Sequence, residues 1–226
     1  MNYKTGTLHL ETTKPLLYEV LVQLMNEPLF NPFVLVGGTN LSLKFGHRMS
    51  DDIDLFTDHE YGSLDFSGLE NYLSSHFKYF LQPSNSEIVG FGRKYFIGES
   101  EDKCIKLDLM HADSFIDNYQ TIDGIRMATI KQISAMKMQS ICLGGRKKDW
   151  WDIHELLNHF SLSEMIGFHK EWQKWTHDTN ELLDKLIDFS KADEEPDPIC
   201  LNGKNWDFIK MDIIDTVIEE KTKPGH

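Results

Sequence analysis

The segment that most constrains the fold is residues 34–56, which read VLVGGTNLSLKFGHRMSDDIDLF. Its first three residues are apolar and stop at Gly37 and Gly38, a pattern typical of a buried strand that ends in a tight turn. Thr39 is placed to cap a short helix, and Gly46 is placed to end it. The run SDDIDLF then predicts a second strand. The segment therefore predicts a strand, a glycine turn, a helix and a strand in succession.

The second predicted strand carries Asp52 and Asp54. Because side chains alternate between the two faces of a strand, both carboxylates lie on one face, while Ile53 and Leu55 point into a core. Two adjacent carboxylates repel each other, and burying them unpaired is costly. Mg²⁺ removes that repulsion, since it prefers oxygen ligands, typically one or two carboxylates together with substrate phosphates. The pattern favours a metal pair beside a phosphate-binding turn; a solvated acidic loop is the alternative.

Composition limits the classes of protein to which the chain can belong. With 226 residues, 40% of them hydrophobic and 12% aromatic, the chain can build one large domain or two small ones. The formal net charge of −13 argues against a general nucleic-acid coat. Three widely spaced cysteines without a CxxC motif, and the lack of a signal segment or a long apolar run, predict a cytoplasmic protein that does not enter a membrane.

The motif string resembles that of a known enzyme family. The glycine turn and the paired aspartates occur with a His-Arg-x-Ser insertion, in the string GGT…GHRMSDDIDLF, which is similar to the AbiEii/AbiGii toxin family. That family is part of the DNA-polymerase-β-like nucleotidyltransferase superfamily. The resemblance covers residues from about 33 to 157 by motif and the remainder only by composition. We expect an α+β fold, with a mixed β-sheet and flanking helices in residues 1–125, a mainly helical domain in residues 126–226, and the nucleotide bound between them.

The resemblance also implies an activity. The protein would transfer a nucleoside monophosphate from an NTP to an acceptor hydroxyl, with Mg²⁺ or Mn²⁺ as cofactor. As the toxin of a bacterial toxin–antitoxin or abortive-infection system, it would modify an RNA, such as a tRNA end, and would have a separately encoded antitoxin. Two rivals stay open: a nucleotidyltransferase that acts on a small molecule or a protein, and a catalytically silent nucleotide-binding module.

A third carboxylate is expected on a neighbouring strand. After strand-like runs at 78–82 and 88–97, residues 104–110 read CIKLDLM, where Ile105, Leu107 and Leu109 alternate with polar positions. The resemblance assigns the family's third catalytic carboxylate to Asp108, so that the implied metal ligands are Asp52, Asp54 and Asp108. A plain surface residue on an edge strand is the alternative for Asp108.

A basic segment begins at residue 126. Between Arg126 and Lys148 there are six lysine or arginine residues and no acidic residue, which favours a phosphate-facing surface over a solvated helix face. Thr129 and the pair Gly144-Gly145 predict the ends of a helix. Lys137 lies on the isoleucine stripe of that helix, so it is either sheltered with an anion or snorkels to solvent.

The run that follows, RKKDWWDIHELL, resembles the family's fourth motif. The resemblance implies that Lys137 and Asp149 are catalytic and lie near the nucleotide; helix capping alone would also explain Asp149. Thr39 stands where the superfamily often has serine, so its hydroxyl contact is either shifted or absent. The implied phosphate-binding set is Gly37, Gly38, Thr39, Ser50, Arg48, Lys137, Arg146 and Lys148.

Overall fold

The structure is a computed structural model that describes residues 8–83 and 92–223. Backbone contacts divide the chain into two compact units. Unit 1 comprises Met1–Gly46 and Ser50–Ala128, and unit 2 comprises His47–Met49 and Thr129–His226. Residues 47–49 follow the glycine turn in sequence but belong to unit 2. The sequence-based division at residue 126 did not include this. The α+β class with a mixed sheet is confirmed.

Unit 1 is built on one mixed sheet, which has seven strands among the described residues, in the order β3-β4-β5-β2-β1-β7-β6. Strands β2 and β5 pair in parallel, as do β1 and β7, and the other neighbours are antiparallel. Residues 88–91 of the strand predicted over 88–97 lie outside the described residues. The elements are α1 Pro15–Asn26, β1 Val34–Val36, α2 Gly37–Phe45, β2 Asp52–Thr57, α3 Phe66–His76, β3 Tyr79–Leu81, β4 Gly92–Ser100, β5 Lys103–His111, β6 Gln120–Ile122 and β7 Ile125–Met127.

The core of unit 1 determines which face of the sheet remains open. The apolar stripe of α1 is buried and packs with the apolar residues of β2 and β5. Ile53, Leu55, Leu107 and Leu109 are all 0% exposed. Each buried leucine or isoleucine contributes about 1.5–3 kcal/mol. Because strand side chains alternate, this burial forces the polar residues between them onto the opposite face of β2 and β5.

Unit 2 is helical, with elements α4 Ile130–Cys142, α5 Lys147–Leu156, α6 Leu162–Trp172, α7 Thr179–Leu186 and α8 Trp206–Lys221. Thr129 caps α4 as predicted, since its side chain accepts a hydrogen bond from the Gln132 amide at 3.1 Å. Residues 47–49 join unit 2 through backbone hydrogen bonds, from Met49 to Ile199 at 2.8 Å and from Leu201 to His47 at 3.0 Å. None of the helices within residues 8–83 and 92–223 is long and apolar enough to cross a membrane.

Candidate active site

The two aspartates of the central segment share one face of β2, as predicted. The burial pattern of β2 alternates, with Asp52 and Asp54 half-buried and the neighbouring Ile53 and Leu55 fully buried. In the parallel pairing of β2 with β5, Asp54 lies directly opposite Asp108. Asp108 is therefore on an interior strand of the sheet, which rules out the edge-strand alternative. Three carboxylates project from one face of two adjacent strands.

We call the surface formed by Asp52, Asp54 and Asp108 the acidic face. Lys106 lies on the same face, and it was not predicted from the sequence as a site residue. It lies opposite Asp52 in the register of β2 and β5, and its Nζ donates to Asp108 Oδ2 at 2.6 Å. Partial burial works against the ammonium, but the hydrogen bond to Asp108 and the charges of Asp108, Asp54 and Asp52 together raise the pKa of Lys106. The signal was present in the sequence, since Lys106 and Asp108 are two residues apart and share a strand face.

Gly37 adopts a left-handed backbone conformation against the acidic face. Its φ is +70°, and a Cβ at this position would collide with the carboxylate of Asp54. Helix α2 begins at Gly37 and its N-cap is Val36, so the prediction that Thr39 caps the helix is wrong. Gly46 has φ +68° and ends α2 as predicted. The glycine turn therefore places the first turn of α2 against Asp54, with Gly38 buried as the next residue.

Gly37→Ala is expected to destabilise unit 1 and to impair any chemistry that uses Asp54. The left-handed conformation costs an alanine about 1–2 kcal/mol, and the collision with Asp54 adds to that cost. Gly62→Ala is the matched control, because Gly62 has φ +84° and a Cβ there would meet no atom within 4 Å. Thermal unfolding of both variants measures the difference. Equal losses in the two variants would show that the contact with Asp54 carries no constraint.

Thr39 and Ser50 connect α2 to the start of β2. Thr39 is 0% exposed, its hydroxyl is hydrogen-bonded to the Asp52 carbonyl, and its Oγ1 lies 2.9 Å from Ser50 Oγ. Ser50 is also buried. The phosphate-binding role predicted for these two hydroxyls does not fit this arrangement, because both are already hydrogen-bonded in the interior. Their position instead holds the backbone of Asp52 in place.

Asp152 is the centre of a buried ionic network in unit 2, and sequence reasoning missed it. The carboxylate is 0% exposed and accepts two hydrogen bonds from Arg48 at 2.7 Å, one on each oxygen. His47 Nε2 lies 2.8 Å from Oδ1, and Lys137 Nζ lies 2.7 Å from Oδ2. Burial opposes ionisation, but the positive charges of Arg48 and Lys137 hold the pKa of Asp152 well below its ordinary value.

Lys137 and Asp149 lie together, as predicted, on the edge of this network. Lys137 is buried rather than snorkelling to solvent, and its Nζ is 2.7 Å from Asp149 Oδ1. Burial disfavours the ammonium, but Asp149 and Asp152 outweigh it and raise the pKa of Lys137. Asp149 Oδ2 accepts a hydrogen bond from the Arg146 amide at 2.9 Å. Asp149 thus both caps α5 and pairs with Lys137.

Besides Lys137, three of the six cations in the basic segment are engaged in contacts within the protein, so its composition overstated the phosphate-facing surface. Arg126 donates to three backbone carbonyls of unit 1 at 2.8–3.0 Å. Lys131 lies 2.9 Å from Glu171, and Lys147 is buried with its Nζ 3.1 Å from Asp197. The guanidinium of Arg48 is likewise 2% exposed and bound to Asp152, which does not fit its predicted phosphate role. Arg146 is exposed and Lys148 is half-buried.

The carboxylate oxygens of Asp52, Asp54 and Asp108 are the type of ligand that a hard cation prefers, but they do not converge on a common point as metal ligands would. Within the described ranges, no group of three or more His, Cys, Asp or Glu side chains is arranged so that it could hold a metal ion. The register nevertheless makes Asp54 and Asp108 neighbours. Asp108 Oδ1 is buried and has no hydrogen-bond partner among the described residues. Carboxylate oxygens are the ligands that Mg²⁺ and Mn²⁺ prefer, so the chemistry of these donors suits such an ion, although the side chains as they stand are not arranged as a metal site.

These features define a class of protein. A glycine turn set against one of two same-face aspartates, with a third carboxylate on the adjacent parallel strand, is the arrangement expected of a nucleotidyltransferase. The sequence profile described as "Nucleotidyl transferase AbiEii toxin, Type IV TA system" matches residues 19–221. The chain belongs to this AbiEii family, and the protein is a nucleotidyltransferase of the toxin class.

Known proteins are similar to this chain in sequence or in fold. The uncharacterized protein aq_aa25 of Aquifex aeolicus (strain VF5) is 28% identical over 188 residues, which cover 78% of this chain and 83% of that protein. The crystal structure of JHP933 from Helicobacter pylori superposes with a TM-score of 0.57 at 19% identity, covering 90% of each chain. MenT4, a nucleotidyltransferase toxin of Mycobacterium tuberculosis H37Rv, has a TM-score of 0.53 at 12% identity, with 88% of this chain and 80% of that chain covered. At these identities the two structures show a shared fold.

Proposed function

We propose that the protein transfers a nucleoside monophosphate from an NTP to the hydroxyl of an RNA acceptor, such as a tRNA end. The transfer would depend on Mg²⁺ or Mn²⁺ held by Asp52, Asp54 and Asp108. The observation that carries the proposal is the acidic face itself, where Asp54 lies beside Asp108 in register and against the turn at Gly37. Family membership supports the NTP substrate and a separately encoded antitoxin.

The residues of unit 1 supply positioning for this reaction. When bound, the metal would neutralise triphosphate charge and lower the pKa of the attacking hydroxyl. Gly37, which has no side chain, leaves the N-terminal turn of α2 close to Asp54, where backbone amides without helical partners can donate to phosphate oxygens. The buried pair Thr39 and Ser50 keeps the start of β2, and with it Asp52, at a defined distance from that turn.

In unit 2, Lys137 is the proposed phosphate ligand. Its ammonium already has two carboxylate partners, Asp149 and Asp152, each at 2.7 Å. Binding a phosphate would therefore replace or share a partner rather than fill an empty position. Asp149 is the more accessible of the two carboxylates, at 9% side-chain exposure against 0%, so it is the partner that we propose is exchanged. Asp152 would then remain as the fixed anchor of the lysine.

The RNA acceptor rests on the family rather than on surface charge. The net charge of −13 repels a polyanion. Within the basic segment, Arg126, Lys131 and Lys147 are already bound to other groups of the protein. Of the basic residues in the predicted phosphate-binding set, Arg146 is exposed and Lys148 is half-buried, whereas Arg48 and Lys137 are buried in the network around Asp152. We therefore expect RNA binding to be weak and local, through Arg146 and Lys148.

Incubation with each α-labelled NTP, Mn²⁺ or Mg²⁺ and total tRNA is expected to label the RNA. If about two phosphate contacts are made, the log–log salt slope of RNA binding should be about −1 to −2. Arg146→Glu should reduce labelling several-fold, and Lys174→Glu, the same charge change at another exposed position of unit 2, should not. Label that appears only in protein or a small molecule would refute the RNA acceptor. Equal labelling by the two variants would remove Arg146 from the RNA contact.

A further inference from the structure

We propose that Lys106 is a tethered counter-ion of the acidic face: it neutralises Asp108 in the metal-free protein and releases that carboxylate when a divalent cation binds. The inference rests on the proposed function, because it takes the acidic face as the metal site. Lys106 would have a positioning role, and it is not part of the motifs from which the family was recognised. The consequence is that the protein's own ammonium competes with the metal.

The geometry of the sheet places Lys106 among three carboxylates. In the paired strands β2 and β5, Asp52 lies opposite Lys106 and Asp54 lies opposite Asp108, so that the four side chains form a compact array on one face. The ammonium of Lys106 is 2.6 Å from Asp108 Oδ2. The side chains of Lys106 and Asp108 are 26% and 18% exposed, so solvent screens this pair only in part.

The different hydrogen bonding of the two Asp108 oxygens explains why Lys106 would move away when a cation binds. Oδ2 is bound to Lys106, while Oδ1 is buried and lacks a hydrogen-bond partner among the described residues. A buried carboxylate oxygen without a partner is costly, and a cation is one way to satisfy it. A divalent cation at this oxygen would stand within a few ångströms of the lysine ammonium and would repel it. The two cations therefore exclude each other, and the lysine, which has a flexible stem, is the one that can move.

Lys94 provides a matched control. It lies opposite Asp108 on the other side of β5, in the antiparallel pairing with β4, so that it shares the strand face. Unlike Lys106 it is exposed, and its charge is screened by solvent. Replacing either lysine by methionine removes one positive charge next to Asp108. Only the replacement of Lys106 removes the ammonium that is bound to the carboxylate.

The test measures binding of MnCl₂ alone, without nucleotide, by calorimetry on the full chain. Lys106→Met is expected to bind Mn²⁺ about tenfold more tightly than wild type, because a unit charge close to the ion is lost at a partly screened site. Lys94→Met should change the affinity by less than about threefold. In chelator, Lys106→Met should melt about 3 °C or more below wild type, and added Mn²⁺ should restore more stability to the variant than to wild type.

A second variant keeps the inference testable if Lys106→Met folds poorly. The double variant Lys106→Met with Asp108→Asn removes both charges, so it should regain the melting temperature that the single variant loses in chelator. Weaker or unchanged Mn²⁺ binding in Lys106→Met, or a double variant that melts no higher than the single one, would overturn the counter-ion role. Those results leave the proposed function standing if wild type still binds Mn²⁺ and transfers nucleotide. A wild type that does neither refutes both.

Discussion

Asp54→Asn is expected to abolish nucleotidyl transfer while the protein stays folded, and Asp52→Asn is expected to do the same. The loss should be about a thousandfold or more, since a metal that stabilises the charge of a phosphoryl transition state contributes several kcal/mol. Asparagine keeps the shape of the side chain but removes the negative charge that binds the ion. Because the two aspartates share a face, each loss leaves the other carboxylate with an incomplete site.

The chain offers a matched control for this experiment one residue away. Asp51 precedes β2, is exposed, and lies 3.2 Å from the surface residue Lys14. Asp51→Asn makes the same chemical change without touching the acidic face, so transfer should stay near the wild-type level. Transfer of labelled nucleotide and thermal unfolding should be measured for all three variants. Full activity in either Asp52→Asn or Asp54→Asn would remove the interpretation of the aspartates as a metal pair.

The second large effect is on stability. Asp152→Asn is expected to lower the free energy of unfolding by about 3–5 kcal/mol, because Arg48 and Lys137 would stay buried without the carboxylate that they share. Asp212→Asn is the control. Asp212 also belongs to unit 2 and pairs with His154 at 2.9 Å, but its side chain is 63% exposed, so its loss should cost less than about 1 kcal/mol.

The pH dependence of the difference in stability between wild type and Asp152→Asn gives an independent check. The folded-state pKa of Asp152 lies well below the ordinary value of 3.8, so its contribution to stability is fully present above about pH 5 and is lost as the pH falls through the folded-state pKa. The difference between wild type and Asp152→Asn should therefore be constant near neutral pH and should shrink in strong acid. Urea unfolding at a series of pH values measures it. A difference that does not depend on pH would show that the carboxylate is not the source of the stability.

Local patterns predicted much of the fold because they depend on residues close together in the chain. The alternation of Asp52 and Asp54 with buried residues follows from the period of a strand. The end of α2 at Gly46 and the cap of α4 at Thr129 follow from backbone and side-chain chemistry within one helical turn. The start of α2 was predicted wrongly, since Thr39 has a tertiary use for its hydroxyl, in hydrogen bonds with Ser50 and the Asp52 carbonyl.

Charge runs were the least reliable part of the sequence for locating the site. Six cations without an acid between Arg126 and Lys148 suggested an open phosphate surface. In the fold, Arg126 holds backbone carbonyls and Lys147 is buried near Asp197. A lysine or arginine binds whatever acceptor the tertiary structure brings to it, and these acceptors lie dozens of residues away in sequence. Composition reports the number of cations but not which of them are already engaged.

The sequence by itself determined the class of this protein, because the motif string that resembles the family, from the glycine turn to the Asp-x-Asp pair, lies within one short segment of the chain. Tertiary structure decided how the charges of the site are balanced. Lys106 and Asp108 meet Asp52 and Asp54 only because β5 pairs with β2 in one register. Arg48 and His47 reach Asp152 across more than 100 positions of the chain. Pairing over such distances depends on packing of whole strands and helices, which no window of residues contains.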